Sequence, residues 1–245
     1  MPKSFSARMF VALIVLSGLL FLGDAAVKAK SVPSVRFVAF LMAACVAARL
    51  KIKLPGLTGT MSVNLPFILV AAVEMDSAEA LAVGFISTFV QCLPKDKRFN
   101  LVQAAFNCGN ITLAVAAARF IFALPPVASV IGSPSLRLVV AATAYALANT
   151  IPVAIVIGLT EGASILRTWM EILQLSFPYL VASAGVAGVT LTVGQEAGWQ
   201  VPLVVLPIMV GIFYSYRRYF VATAASEAAN IRTESSSPVA AGAKA

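Results

Sequence analysis

The sequence contains no histidine. That removes the commonest general acid–base group and the commonest protein metal ligand. Cysteine is scarce too: Cys45, Cys92 and Cys108 are the only 3, all inside apolar runs. With an odd count and no CxxC spacing they indicate neither a disulfide framework nor a zinc site. They read as small buried hydrophobes. Charged residues make up 11% of the chain, against about 25% in soluble domains. Acids are the scarcer sign, and almost none lie deep in an apolar run; Asp24 is the weak exception. A proton-driven pump would carry such a mid-membrane carboxylate. No GxSxG, Walker A lysine motif or HExxH is present, so no catalytic constellation is indicated. No enzyme activity, cofactor or metal is expected.

Apolar sequence is abundant instead. Hydrophobic residues make up 60% of 245, and the mean hydropathy is +0.93. A soluble globule of this size would lack the polar residues to cover its surface, whereas a lipid-facing surface needs none. The net charge of +8 does not indicate nucleic acid. The bases sit in short clusters between apolar runs and form no continuous stripe.

A spanning helix needs about 20 mostly apolar residues. By that rule the sequence predicts an all-α, polytopic helix bundle with eight spans, near 8–27, 34–50, 58–75, 77–94, 100–123, 135–159, 176–194 and 200–221. Only a short polar turn with Glu74, Asp76 and Glu79 joins the third and fourth. They are either two spans or one re-entrant pair, so the range is six to eight. The run after Lys3 and Arg8 has no clear cleavage site and reads as a retained first helix. Residues 163–175 predict a short amphipathic helix at the inner interface, with Trp169 at headgroup level. Residues 1–221 thus form the membrane domain. The Ala- and Ser-rich stretch 222–245 is expected to be a disordered tail.

Lys and Arg favour cytoplasmic loops. With eight spans and both ends inside, the inner loops hold Lys3, Arg8, Arg49, Lys51, Lys53, Lys95, Lys97, Arg98, Arg167, Arg217 and Arg218, and the tail adds Arg232 and Lys244. The outer loops hold Lys28, Lys30, Arg36 and Arg137, with Glu74, Asp76, Glu79 and Glu196. The expected location is a bacterial plasma (inner) membrane, with both termini cytoplasmic. Arg119 is left within a span. It either snorkels to the outer headgroups or pairs with an outer acid.

Polar residues inside a span need partners, so they mark either packing contacts or a ligand pocket. The first group is the Gly- and Pro-broken segment 54–66, with Thr58, Thr60, Ser62 and Asn64. It is either an interrupted span of the kind that binds ligand in transporters or a loop running into a hydroxyl-capped helix. The second is Gln103, Asn107 and Asn110, on one helix face at i, i+4, i+7. The third is Asn149 and Thr150 beside Pro152, which should kink its helix. The fourth is Gln91, with Ser87 and Thr88.

Several long strings resemble a known family. LPGLTGTMSVNLPFIL (54–69), STFVQCLPK (87–95), VQAAFN (102–107), ANTIPVAIVIGLTEG (148–162) and GWQVPLVVLPIMVGIFYSYRRY (198–219) are similar to a multi-helix membrane region at the N-terminus of bacterial signalling proteins. In those proteins the region runs into HD-type phosphohydrolase or GGDEF domains of cyclic-di-GMP signalling. The resemblance covers residues 45–220. This chain ends about 25 residues after the last apolar run and has no metal-binding histidines. The resemblance therefore implies a sensory or receptor-like module without its own output. A separate cytoplasmic signalling protein, or a second copy in a homo-oligomer, would act with it. Besides those, the lipid bilayer is the expected partner, and nucleic acid is not. The alternative function is a small-molecule transporter, or the substrate-binding membrane subunit of one.

Overall fold

The computed structural model describes residues 5–29, 34–53, 60–94, 99–197, 200–215 and 217–218. Among them are nine helices: α1 Phe5–Lys28, α2 Val35–Ala48, α3 Leu65–Glu74, α4 Ser77–Cys92, α5 Leu101–Ala123, α6 Pro125–Val130, α7 Pro134–Glu161, α8 Ile165–Ala197 and α9 Val201–Ser215. The fold is all-α apart from one small antiparallel pair, β1 Lys51–Lys53 with β2 Thr60–Ser62, in the register Lys51 to Ser62. The expected tail, 222–245, lies outside the described residues.

Four helices are long and apolar enough to cross a membrane: α1, α5, α7 and α8. The expectation of eight full spans is thus corrected; fewer are evident. α2, α3 and α4 have 14, 10 and 16 residues. Ten residues rise only about 15 Å, half of a hydrocarbon core of about 30 Å. The causes are local. α2 begins where the Ser34 hydroxyl accepts from the Phe37 N–H, and it ends at Arg49 because the chain turns into β1. α3 is bounded by Pro66 in its first turn and by an extended residue, Met75, after its last. The amphipathic helix expected at 163–175 is not separate either. It is the first half of α8, a continuous helix of 33 residues that carries Pro178 within it.

Contacts fix the relative directions. Ser34 meets Glu79 at one end of α2 and α4, and Arg49 meets Val90 and Leu93 at the other, so these helices run parallel. α4 is antiparallel to α5, through Cys108 on the Phe85 carbonyl and Asn107 on Cys92. α7 is antiparallel to α5, through Asn110 with Asn149 and Arg137 over Phe122. α1 is parallel to α5: Gly18 packs on Gly109, while Asp24 and Lys28 share a cleft with Arg119 and Ala123. One end of the bundle therefore gathers most of the acids, Asp24, Glu74, Asp76 and Glu79, together with Lys28, Arg36, Arg119 and Arg137. The other gathers Arg8, Arg49, Lys51 and Arg167, with Glu161 and Glu171.

At the centre sits α3, every residue from Leu65 to Ala72 buried. Around it Phe40, Val83, Val115, Leu138, Tyr179 and Met209 close one core. Lipid supplies no hydrophobic drive between helices, so close approach and polar contacts carry the packing. Gly18 and Gly109 provide the closest approach. A Cβ on Gly18 would stand 2.5 Å from the Gly109 Cα. The α7–α8 turn also requires glycine, since Gly162 ends α7 at φ +72°.

Candidate functional site

The polar side chains inside the bundle form three sets. The first surrounds the start of α3. Ser62 donates to the Asn64 Oδ1 at 2.7 Å, and Asn64 Nδ2 donates to the Ser87 Oγ at 3.1 Å. The Leu65 N–H donates to the Tyr179 hydroxyl at 3.1 Å. Of the segment 54–66, residues 54–59, with both its glycines, lie outside the described residues. What precedes α3 is a strand rather than a loop. The expected hydroxyl cap on the helix start is absent: Asn64 makes no side-chain cap bond, and a tyrosine from α8 satisfies the first amide instead. Thr58 lies outside the described residues, and of Thr60 only the backbone is described.

The second set joins α5, α7 and α8. Asn110 Nδ2 donates to both the backbone carbonyl and the Oδ1 of Asn149, each at 2.9 Å. Thr150 donates to the Ala146 carbonyl and accepts from the Trp169 indole. Trp169, expected at headgroup level, donates to this helix partner. Pro152 has no N–H to offer, and Asn110 reaches the turn just before it. The face Gln103–Asn107–Asn110 is real but graded. Gln103 is exposed, Asn107 is half-buried against Cys92, and Asn110 is buried. Gln91 is half-buried near the end of α4. The structure therefore brings together Ser62, Asn64 and Ser87, and separately Asn110, Asn149, Thr150 and Trp169. It does not gather all the candidates into one pocket.

This pairing makes an asymmetric prediction. Asn110→Leu removes both bonds and should cost about 0.6–1.7 kcal/mol, the range for interhelical polar contacts in lipid. Asn149→Leu should cost less, because Asn110 still has the Asn149 carbonyl. Unfolding in mixed micelles measures both. A larger loss from Asn149→Leu would contradict the geometry.

The third set lies at the acid-rich end. Arg36 pairs with Glu74, and the Ser34 hydroxyl and N–H donate to Glu79. Arg119, expected to snorkel or to pair with an outer acid, has Asp76 near enough for its charge to act on it and also bonds backbone. It donates to the Ala72 carbonyl at 2.9 Å and to that of Met75, so it caps the C-terminus of α3. Arg49 does the same for α4 at the opposite end, on Val90 and Leu93. A cation at a helix C-terminus answers both the orphan carbonyls and the helix dipole.

Beside Arg119 a cleft of about 550 Å³ opens between α1, α4 and α5. Its charged lining is Asp24, Lys28, Asp76 and Arg119, and its apolar lining includes Phe21, Leu81 and Phe120. Asp24 and Lys28 pair at 2.8 Å. The polar candidates named from sequence do not line this cleft. Asp24 and Lys28 at i, i+4 were a visible signal, but the adjacency of α1 and α5 was not.

The comparisons add no relative. No family model, curated protein or solved structure matches this chain. The description of the chain as a helical membrane protein therefore stands on its own apolar helices.

Proposed function

We propose that this chain is a membrane-embedded, receptor-like module. It recognises a small polar solute in the cleft at its acid-rich end and hands the change to a separate protein at its base-rich end. The cleft is the observation that carries this reading. It offers about 550 Å³ with charges of both signs, within the usual size of small-molecule sites. The amides and hydroxyls deeper in the bundle bond one another or their own helix, with Thr88 Oγ1, Asn110 Oδ1 and Ser183 Oγ left without a hydrogen-bond partner among the described residues. The positive-inside tendency supports a base-rich end at the cytoplasmic face of a bacterial inner membrane. In that arrangement α1, α5, α7 and α8 cross the lipid, and because α1 and α5 run parallel, α2, α3 and α4 together carry the chain back between them. The resemblance to membrane regions of cyclic-di-GMP signalling proteins supports the same direction of output.

Short α3, entered from a strand, favours the transporter as the second reading. One pair of measurements separates the two. Crosslinking and affinity capture from native membranes should retain a cytoplasmic signalling protein, and liposomes holding the pure chain should move no solute. Solute flux without a retained partner would overturn the receptor reading.

A further inference from the structure

The geometry points to a zwitterionic ligand for this cleft: a small group carrying an ammonium and an anionic oxygen, with an apolar part attached. The inference rests on the receptor reading for its site and goes beyond it in the chemistry of the ligand. The lining supplies two carboxylates, Asp24 and Asp76, and two cations, Lys28 and Arg119, from three helices. The lining thus carries both signs, so a zwitterion finds a partner for each of its ends. The charges are also distributed. Asp24 and Lys28 belong to α1, Asp76 precedes the first turn of α4, and Arg119 stands on α5.

The anionic end meets the Arg119 guanidinium, which lines the cleft. The ammonium end finds Asp24, whose present partner is the flexible, exposed Lys28. Such an exposed pair is worth only about 0–1 kcal/mol and exchanges readily. Phe21, Leu81 and Phe120 receive the apolar part.

Two sources present this chemistry at a membrane surface: a free amino-acid-like solute, and the headgroup of phosphatidylethanolamine. The test uses the full chain in nanodiscs of phosphatidylglycerol alone and in nanodiscs that include phosphatidylethanolamine. Melting is followed with L-alanine, L-leucine, L-phenylalanine and glycine betaine as probes, and with amine-only and carboxylate-only analogues. Stabilisation by a zwitterion in phosphatidylglycerol discs supports the free solute. Stabilisation by phosphatidylethanolamine, with the lipid retained in native mass spectrometry, supports the headgroup. In either case Asp24→Asn should weaken binding about tenfold or more, the loss of one charged contact. It should not lower the ligand-free melting point by more than the loss of an exposed pair. Asp76→Asn gives a second, independent variant.

No stabilisation by any of these zwitterions overturns the inference. So does equal binding of the single-charge analogues, or binding that Asp24→Asn leaves intact. A neutral solute that binds and is lost in Asp24→Asn would sink the zwitterion and keep the receptor reading. Zwitterion flux through liposomes would do the reverse.

Discussion

Gly109→Val should lower the melting point of the folded bundle. The α1–α5 crossing is a backbone contact. A Cβ on Gly109 would stand 2.8 Å from the Ile14 carbonyl oxygen and 3.0 Å from the Val15 Cα. Backbone cannot rotate away as a side chain can, so the helices must separate. Overpacking of this kind costs about 1–3 kcal/mol. Here it also opens the cleft, because Asp24 and Arg119 lie farther along the same two helices. Gly23→Ala is the open-space control. Nothing lies within 4 Å of its added Cβ, and replacing glycine within a helix should gain up to about 1 kcal/mol. Thermal unfolding in nanodiscs measures both. Equal melting points for Gly109→Val and the parent would remove the crossing from the account.

Arg119→Ala is the second large effect. It strips the donor from the Ala72 and Met75 carbonyls at the end of buried α3. Hydrogen bonds to a charged group contribute about 1.5–3 kcal/mol, and an orphaned carbonyl at this depth has little water to replace the loss. Arg119→Lys should recover part of the loss, since an ammonium lacks the planar fork but still donates. Hydrogen exchange at the amides of α3 and the α3–α4 turn would report the change directly. A side chain that merely snorkelled would give Arg119→Ala the same exchange pattern as the parent.

Arg119 also shows what the sequence could and could not convey. Its depth was legible as the lone base in an apolar run. Its partner was not, because a backbone carbonyl carries no signature in a residue string. The membrane class was legible for the same reason that the span count was not. Apolar composition reports the solvent, but helix length depends on where the chain turns. Leu65–Glu74 and its neighbours read as one apolar run from 58 to 75. The β1–β2 pairing claims its first residues, and Pro66 sets the start of the helix. At 163–194 the error ran the other way. The polar face around Arg167 and Glu171 suggested a boundary, yet those residues form an i, i+4 pair on the surface of one uninterrupted helix. The face holding Asn107 and Asn110 followed from helical period alone. That Asn110 meets Asn149 required knowing that α5 and α7 adjoin. The cleft was hidden for the same reason, since its charges come from three helices distant in sequence.

We propose that the two ends of this bundle face opposite sides of a membrane. Lys28 and Arg167 mark those ends, and their side chains are 73% and 83% exposed. With Cys45, Cys92 and Cys108 replaced by serine, Lys28→Cys and Arg167→Cys can each be challenged with a membrane-impermeant thiol reagent. The account predicts that Lys28→Cys is modified from outside intact cells, and that Arg167→Cys is modified only after the membrane is opened. Modification of both positions from the same side would contradict it.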